Sequence, residues 1–200
     1  VTFDTIDAPP TMFGPTADSA GYWGATHHAV EDLALLRVIP GMTVLCPADP
    51  AEATRAVVSA CERHGIGRMV FISSPSVYVT GRDRYQITEE APLPAAQSTH
   101  YSRTKVLSEE ELLAHQGLEV IILRPRAVYG PFDTTFIPRI LRMAGAKRLL
   151  LVSGGRALAD VTYVGNLVEA TKACLEAPGS AWNQVYNITN GDPLTVKEWF

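Results

Sequence analysis

The sequence of 200 residues has few cysteines, no long apolar runs and no excess of basic residues. Its apolar runs are far shorter than the ~20 residues of a membrane span. The three cysteines, Cys46, Cys61 and Cys174, lie far apart without CxxC spacing, which excludes a disulfide framework and a cysteine zinc site. Seventeen basic against 21 acidic residues give a net charge of −4, too negative for non-specific nucleic-acid binding.

The start of the chain does not have the pattern that predicts a signal peptide. The opening VTFDTIDAPP carries acidic residues where a signal peptide carries Lys or Arg. Because the few cysteines show no disulfide framework, we expect a cytoplasmic protein. Because the first residue is not Met, we expect the chain to begin inside a longer gene. With 46% hydrophobic and 19% charged residues the composition is that of a globular protein. We expect a small-molecule substrate, no nucleic acid and no membrane span, and leave a homodimer open.

The hydrophobic pattern predicts an α/β fold. Residues 1–30 are rich in Pro and Gly and are predicted as loop, followed by a helix from Glu31 and a strand over Thr43–Leu45. Asp49 and Pro50 then begin a second helix, which ends at Gly65. Beyond it, strands and helices alternate, which is typical of a parallel sheet flanked by helices. The predicted strands are 69–73, 120–124, 149–152 and 184–188, and the predicted helices 101–115, 135–144 and 166–177.

The helix at 101–115 carries the most informative residues. We expect Val106, Leu107, Leu112 and Leu113 to face the core. Tyr101 and Lys105 are one helical turn apart and therefore share a face. A free phenol titrates near pH ~10, and a neighbouring ammonium favours its ionised form. With the serines of SSPS (73–76) at the end of the preceding strand, this pattern suits proton transfer to or from a carbinol during hydride transfer.

Six stretches, two of which contain the residues just described, place this pattern in a family. They are GIGRMVFISSPSVY, ITEEAPLP, YSRTK, LEVIILRPRAVYGP, DVTYVGNLVEA and VYNITNGDPLTVKEWF. In this order and spacing, residues 54–200 resemble the extended short-chain dehydrogenase/reductase family, also called the NAD-dependent epimerase/dehydratase family. The resemblance implies a Rossmann-type, doubly wound parallel sheet that binds NAD or NADP.

The same resemblance assigns roles to individual residues. It implies that Tyr101 is the catalytic base, that Lys105 holds the nicotinamide ribose and that Ser74 is the hydroxyl partner. The segment RPRAVYGP resembles the loop that lies beside nicotinamide and substrate in the family. Together these matches give three implied sets: catalytic Ser74, Tyr101 and Lys105; cofactor-binding Tyr101, Lys105, Arg124 and Pro125; and substrate-binding Ser76, Ala127, Val128 and Tyr129.

Departures from the family pattern bear on the substrate. Sugar-nucleotide enzymes of the family usually have Asn where Ala127 stands, and an Arg before the position of Asp160. The form DVTYVGN, with Asn166, is more similar to the 3β-hydroxysteroid and sterol-carboxylate dehydrogenase branch. We therefore expect an oxidoreductase acting on a secondary alcohol or ketone of a bulky apolar, sterol-like molecule, with a nucleotide-sugar epimerase or dehydratase as the alternative. For Asp160 and Asn166 themselves we expect structural roles, a loop hydrogen bond and a helix N-cap.

The glycine-rich opening that receives the cofactor pyrophosphate in this family is not present in these 200 residues. Gly21 and Gly24 have one interval of the right length, but no strand leads into them, and we predict a loop. The fold class is therefore an incomplete Rossmann-like sheet without its first βαβ unit. The alternative of another class is a non-catalytic chimera or fragment that lacks a working cofactor site.

The first 53 residues have a different resemblance. The run GPTADSAGYWGATHHAVEDLALLRVIPGMTVLCPADPAE is similar to the pyrimidine-binding domain of the transketolase family, in which the match of His27 lies near substrate. The cofactor-activating glutamate of that family is not in this stretch, so we expect no thiamine diphosphate. His27 and His28 have no further ligands nearby, and we predict no metal site. The predicted domains are 1–53, transketolase-like, and 54–200, a partial dehydrogenase domain truncated at its C-terminus.

Overall fold

The computed structural model of the chain describes residues 11–13, 43–45, 50–134, 136–145 and 152–198. These residues belong to two compact units, Val1–Gly65 and Ile66–Phe200. The predicted helix from Glu31, the cap at Asp49, the glycines at 21 and 24, the His27–His28 pair and Cys46 lie outside the described residues. The predicted domain boundary between residues 53 and 54 rests on sequence resemblance and stays a prediction.

The first unit contains two short parallel strands and a helix. Strand β1 (Thr11–Phe13) pairs with β2 (Thr43–Leu45), with Thr11 opposite Thr43. The prediction of loop over residues 1–30 is therefore wrong at 11–13, since a run of three residues is too short to show alternation and depends on its distant partner. Helix α1 (Pro50–Arg63) is confirmed, and Gly65, at a φ of +64°, ends it in the left-handed conformation that glycine adopts without strain.

The second unit is built on a parallel sheet of three strands. They are β3 (Arg68–Ile72), β4 (Glu119–Pro125) and β8 (Gln184–Ile188), in the order β3-β4-β8. Val70 lies opposite Ile121, and Leu123 opposite Tyr186. The central strand β4 is the most buried element, as its continuous apolar run predicts for a parallel sheet. Ile121 and Leu123 of this strand form a core cluster with Cys174 and Trp182.

Helices connect these strands in the expected alternation. Helix α2 (His100–Ala114) runs between β3 and β4, while α3 (Phe136–Gly145) and α4 (Val164–Leu175) lie between β4 and β8. Short strands complete the unit: β5 (Val128–Tyr129) pairs with β7 (Thr162–Tyr163) in parallel, and β6 (Leu158–Ala159) with β9 (Leu194–Thr195) antiparallel. Of the strand predicted at 149–152, only Val152 is described, and it begins a 3-10 turn, Val152–Gly155.

Helix α2 corrects one prediction about the core. Leu112 is buried as expected, but Leu107 and Leu113 are exposed. The buried face of the helix instead carries Ser102, Ser108 and Glu109 beside Leu112. The prediction from apolar residues placed the inward face wrongly. Polar side chains can lie on the buried face of α2 because hydrogen bonds within the unit satisfy them. Among the described residues no helix is both long and apolar enough to cross a bilayer.

Candidate active site

The candidate site lies where β3 and β4 end. The chain leaves β3 at Ile72, and the Ser73 amide donates to the Leu123 carbonyl at 2.7 Å, which holds the exit of β3 against β4. Ser74 then caps a 3-10 turn, Pro75–Tyr78, by accepting a hydrogen bond from the Ser76 amide at 3.2 Å. The predicted serines are thus fixed at the carboxyl edge of the sheet, where ligands bind in open α/β folds.

The N-terminal turn of α2 presents Tyr101 beside this strand end. Thr99 caps the helix, and its side chain and that of Ser102 exchange hydrogen bonds with each other's backbone. The Tyr101 side chain leaves this well-formed first turn and is 53% exposed. A phenol held by a capped helix but open to solvent is accessible to a substrate, and the role of Tyr101 as a base stays a prediction.

Lys105 links Tyr101 to the sheet. Its Nζ donates to the Ile72 carbonyl at 2.9 Å and lies 4.9 Å from the centre of the Phe71 ring and 5.9 Å from that of the Tyr101 ring. Burial lowers the pKa of the Lys105 ammonium, and the charge of Glu109 opposes that shift. The structure therefore brings the predicted pair together, with the ammonium positioned between the strand end and the phenol.

Ser76 is the predicted substrate residue with an unsatisfied side chain. Its Oγ is buried and has no hydrogen-bond partner among the described residues. The Oε1 of Gln97 is in the same condition, although the Gln97 Nε2 donates to the carbonyls of Val77 and Pro94. A buried hydroxyl and a buried amide oxygen without partners call for a water or ligand. Ser76 lies in the turn that follows Ser74, and Gln97 is attached to that turn through the Val77 carbonyl.

Arg124 and Pro125, the other predicted cofactor residues, are buried at the end of β4. The Arg124 guanidinium forms an ion pair with Glu109 and also donates to the Tyr78 hydroxyl. The hydroxyl of Tyr78 in turn donates to Asn187 Oδ1 at 3.2 Å. The Arg124 side chain is used internally and its residue pairs with Asn187 in the sheet, so the predicted contact with a cofactor stays a prediction.

The predicted substrate segment follows β4 directly. The exposed Ala127 accepts a hydrogen bond from the Thr162 amide at 3.0 Å, and Val128 and Tyr129 form β5. The Tyr129 ring packs against Tyr163 at a centroid distance of 5.7 Å. This segment is therefore held by β7, and its contact with substrate is a prediction that the geometry leaves untested.

Asn190 ties this region together. Its Oδ1 accepts from the Tyr163 amide at 2.8 Å and from Asn166 Nδ2 at 3.0 Å, while its Nδ2 donates to the Tyr129 hydroxyl at 3.3 Å. The prediction that Asn166 caps a helix is wrong, because α4 begins at Val164, which places Asn166 inside the first turn. The loop hydrogen bond of Asp160 is confirmed, since its Oδ1 accepts from the Val161 amide at 2.8 Å.

Sequence reasoning missed three residues of this region. Glu109 stands in a run of three glutamates, a pattern typical of an exposed face, yet it is buried. Gln97 and Asn190 lie in irregular segments where no period marks them. Of the three, only Glu109 could have been found from the sequence, because it lies four residues after Lys105 and therefore on the same face of the helix.

Comparison with known proteins decides the family. The model of the NAD dependent epimerase/dehydratase family matches residues 48–189. The chain belongs to this family. A second model, the transketolase pyrimidine binding domain, matches residues 11–79 and overlaps the first over residues 48–79. The predicted family and the predicted likeness of the first segment are both confirmed.

Curated relatives of the family chain include reductases and dehydrogenases. The 2-alkyl-3-oxoalkanoate reductase of Stenotrophomonas maltophilia (strain K279a) is 37% identical over 154 residues, which is 72% of this chain and 46% of that protein. The human sterol-4-alpha-carboxylate 3-dehydrogenase, decarboxylating, is 27% identical over 149 residues, 70% of this chain and 42% of that protein. This chain thus spans less than half the length of either relative.

Solved structures place the fold. A UDP-glucuronic acid 4-epimerase from Bacillus cereus, in complex with NAD, aligns with a TM-score of 0.62 at 22% identity. The alignment covers 82% of this chain and 58% of that one. The parallel sheet with its helices is therefore Rossmann-like and corresponds to part of the complete fold, as predicted.

Proposed function

We propose that this chain carries the catalytic residues of an NAD(P)-dependent oxidoreductase that interconverts a secondary alcohol and a ketone. The observation that supports it is the exposed Tyr101 on α2, with the Lys105 ammonium 5.9 Å from its ring and the serine turn at the adjoining strand end. A proton carrier, a cation and a hydroxyl beside one sheet edge are the groups that such a reaction requires of the protein.

Each residue has a distinct task in this proposal. The Tyr101 phenol transfers a proton to or from the substrate oxygen, and the Ser74 hydroxyl donates a hydrogen bond to the same oxygen. Lys105 uses one of its ammonium protons on the Ile72 carbonyl, which leaves two donors for a ribose hydroxyl.

The residues present fit only part of a nicotinamide cofactor. Lys105, with its free donors, and the buried unpaired Ser76 hydroxyl suit the end that carries nicotinamide and ribose. When bound, the cofactor supplies or accepts the hydride. Among the described residues no strand is followed by a GxxGxxG turn, which is the element that receives a pyrophosphate.

For the substrate we propose a ketone or alcohol on a bulky apolar molecule. The relatives with assigned activities act on a 2-alkyl-3-oxoalkanoate and a sterol carboxylate, both of which join an oxygen function to a large apolar body. The exposed Ala127, at the position where sugar-nucleotide enzymes usually have Asn, offers no polar side chain for a sugar. A nucleotide-sugar epimerase or dehydratase is the second candidate, and the NAD-bound epimerase neighbour supports it at the level of fold alone.

The test measures reduction of a 2-alkyl-3-oxoalkanoate by the 200-residue chain with millimolar NADPH or NADH. A UDP-sugar, offered in a separate assay, tests the second candidate function. Tyr101→Phe should lower kcat by about 10²–10⁴-fold, the usual contribution of a general acid–base group. Tyr85→Phe is the control, because Tyr85 is an exposed tyrosine outside the site. If Tyr101→Phe keeps more than about half of the parent rate, Tyr101 is not the base.

Two further variants separate the roles. Lys105→Met should impair both kcat and cofactor affinity, because it removes a ribose donor and the charge beside the phenol. Ser74→Ala should reduce kcat less than Tyr101→Phe, since it removes one hydrogen bond and no proton carrier. Unchanged melting curves are required of each variant, because a folding defect would mimic a catalytic one.

The non-catalytic alternative is tested by cofactor binding alone. Without a glycine turn and helix N-terminus, the pyrophosphate loses several charge-assisted hydrogen bonds, each worth about 1.5–3 kcal/mol. We therefore expect isothermal titration to give an NAD dissociation constant above ~10 μM for the isolated chain. Tighter binding would exclude the non-catalytic alternative and show that other residues receive the pyrophosphate.

A further inference from the structure

The buried face of α2 contains a charged group that the proposed reaction does not use. Tyr101, Lys105 and Glu109 follow one another at intervals of four residues, so they lie along one side of the helix. Glu109 is only 2% exposed. A carboxylate this deeply buried needs hydrogen-bond partners, and its partners define what it does.

Those partners come from both strands that end at the site. Glu109 accepts from the Ser73 hydroxyl and from two nitrogens of Arg124, of which Nε lies at 3.0 Å. Ser73 is itself buried and immediately precedes the candidate Ser74. One carboxylate therefore joins α2 to the exit of β3 and to the end of β4.

Lys105 makes a parallel connection one helical turn earlier. Its Nζ donates to the carbonyl of Ile72, the residue before Ser73. The exit of β3 is thus attached to α2 at two successive residues, by Lys105 at Ile72 and by Glu109 at Ser73. If one of these two connections is lost, the other still attaches α2 to the strand end, while the Ser73 amide still bonds to β4.

From these contacts we infer that Glu109 is a positioning residue, which through Ser73 holds the Ser74 turn against the helical face that carries Tyr101 and Lys105. This role rests on the proposed function, because it assigns Glu109 a task in that same site. The continuation from Arg124 to Tyr78 and on to Asn187 extends the same support to the 3-10 turn and to β8.

The experiment follows the Lys105 ammonium directly, so it needs no turnover. The chain has four lysines, and a Lys105→Arg variant assigns the Lys105 signal in ¹H–¹⁵N spectra of the side-chain ammonium groups. Ser73→Ala removes only the hydroxyl that Glu109 accepts from, and Glu109→Gln removes the charge at constant shape. Ser73→Thr restores a hydroxyl, and Thr171→Val is the matched control, because it deletes a hydroxyl that donates to Leu167 at 2.8 Å within α4.

We expect Ser73→Ala and Glu109→Gln to speed the exchange of the Lys105 ammonium protons with water by about 3- to 10-fold. This factor corresponds to the loss of about one hydrogen bond that holds the strand end in place. Ser73→Thr and Thr171→Val should leave that rate at the parent value. A role in stability alone would lower the melting temperatures without changing the exchange rate measured well below them. An unchanged rate in Ser73→Ala would overturn the inference, even if Glu109→Gln fails to fold.

Activity provides an independent arm. If the parent reduces a 2-alkyl-3-oxoalkanoate, Ser73→Ala should lower kcat by about 3- to 10-fold with an unchanged KM, and Ser73→Thr should recover most of it. A parent protein without turnover would refute the proposed function. The proton-exchange result would then decide alone whether Glu109 holds the Ser74 turn against α2. A changed KM with an unchanged kcat would overturn the positioning role.

Discussion

Removal of one partner of the buried ion pair between Arg124 and Glu109 should destabilise the second unit far more than removal of both. The side chains are 5% and 3% exposed, so either charge left alone has almost no access to water. Breaking a buried pair from one side typically destabilises by about 3–5 kcal/mol. Whole domains are stable by only about 5–15 kcal/mol, so Arg124→Met or Glu109→Leu alone should bring the unit close to unfolding.

The double variant Arg124→Met/Glu109→Leu should be much milder. It leaves no buried charge, but the Ser73 hydroxyl loses its acceptor, which costs about 1–3 kcal/mol. The Tyr78 hydroxyl keeps Asn187 as a partner. Two single losses of 3–5 kcal/mol against a double loss of 1–3 kcal/mol give a coupling free energy of at least about 3 kcal/mol.

A second Arg–Glu pair in the same sheet is the control. Arg68 and Glu119 join β3 to β4 at 2.8 Å, with side chains 51% and 44% exposed. Exposed pairs couple by about 0–1 kcal/mol. Hydrogen exchange of the β4 amides measures all variants, because it reports on the second unit itself. A coupling of about 1 kcal/mol or less at the buried pair would refute the reasoning, whereas insoluble single variants beside a soluble double variant would support it.

Three further outcomes are expected. Gly130→Ala should destabilise by about 1–3 kcal/mol, because its Cβ would lie 2.4 Å from Val164 Cγ1. Val164→Ala should relieve that clash, and thermal melts of the parent, the two single variants and the double variant measure it. Asn190→Asp keeps the acceptor that holds the start of α4, so its melting temperature should fall less than that of Asn190→Ala, and equal losses would contradict this. Burial lowers the pKa of Lys105, so folding releases a proton. The free energy of unfolding should therefore rise with pH just below the ordinary lysine range. ¹⁵N titration, with Lys105→Arg to assign the signal, measures the pKa of Lys105.

The elements that could be predicted from the sequence are those whose signal is local. Helix α1 was marked by Pro50 and Gly65, and β4 by a short continuous apolar run, which is typical of a buried parallel strand. Tyr101 and Lys105 could be placed on one face because a helix fixes the geometry of residues four apart. Strand β1 could not be found, since its three residues form a strand only through pairing with β2.

The hydrogen bonds to Glu109 could not be predicted from the sequence for a different reason. Ser73 and Arg124 reach Glu109 from outside its helix, across separations along the chain of 36 and 15 residues. No periodic pattern registers such contacts, and a glutamate in a run of three is ordinarily solvated. What reveals Glu109 is the combination of its burial with donors from the exit of β3 and from β4. The helical spacing that places the candidate pair, Tyr101 and Lys105, on one face continues by one more turn to Glu109. The face predicted for chemistry therefore also carries the side chains, Lys105 and Glu109, that attach α2 to the exit of β3.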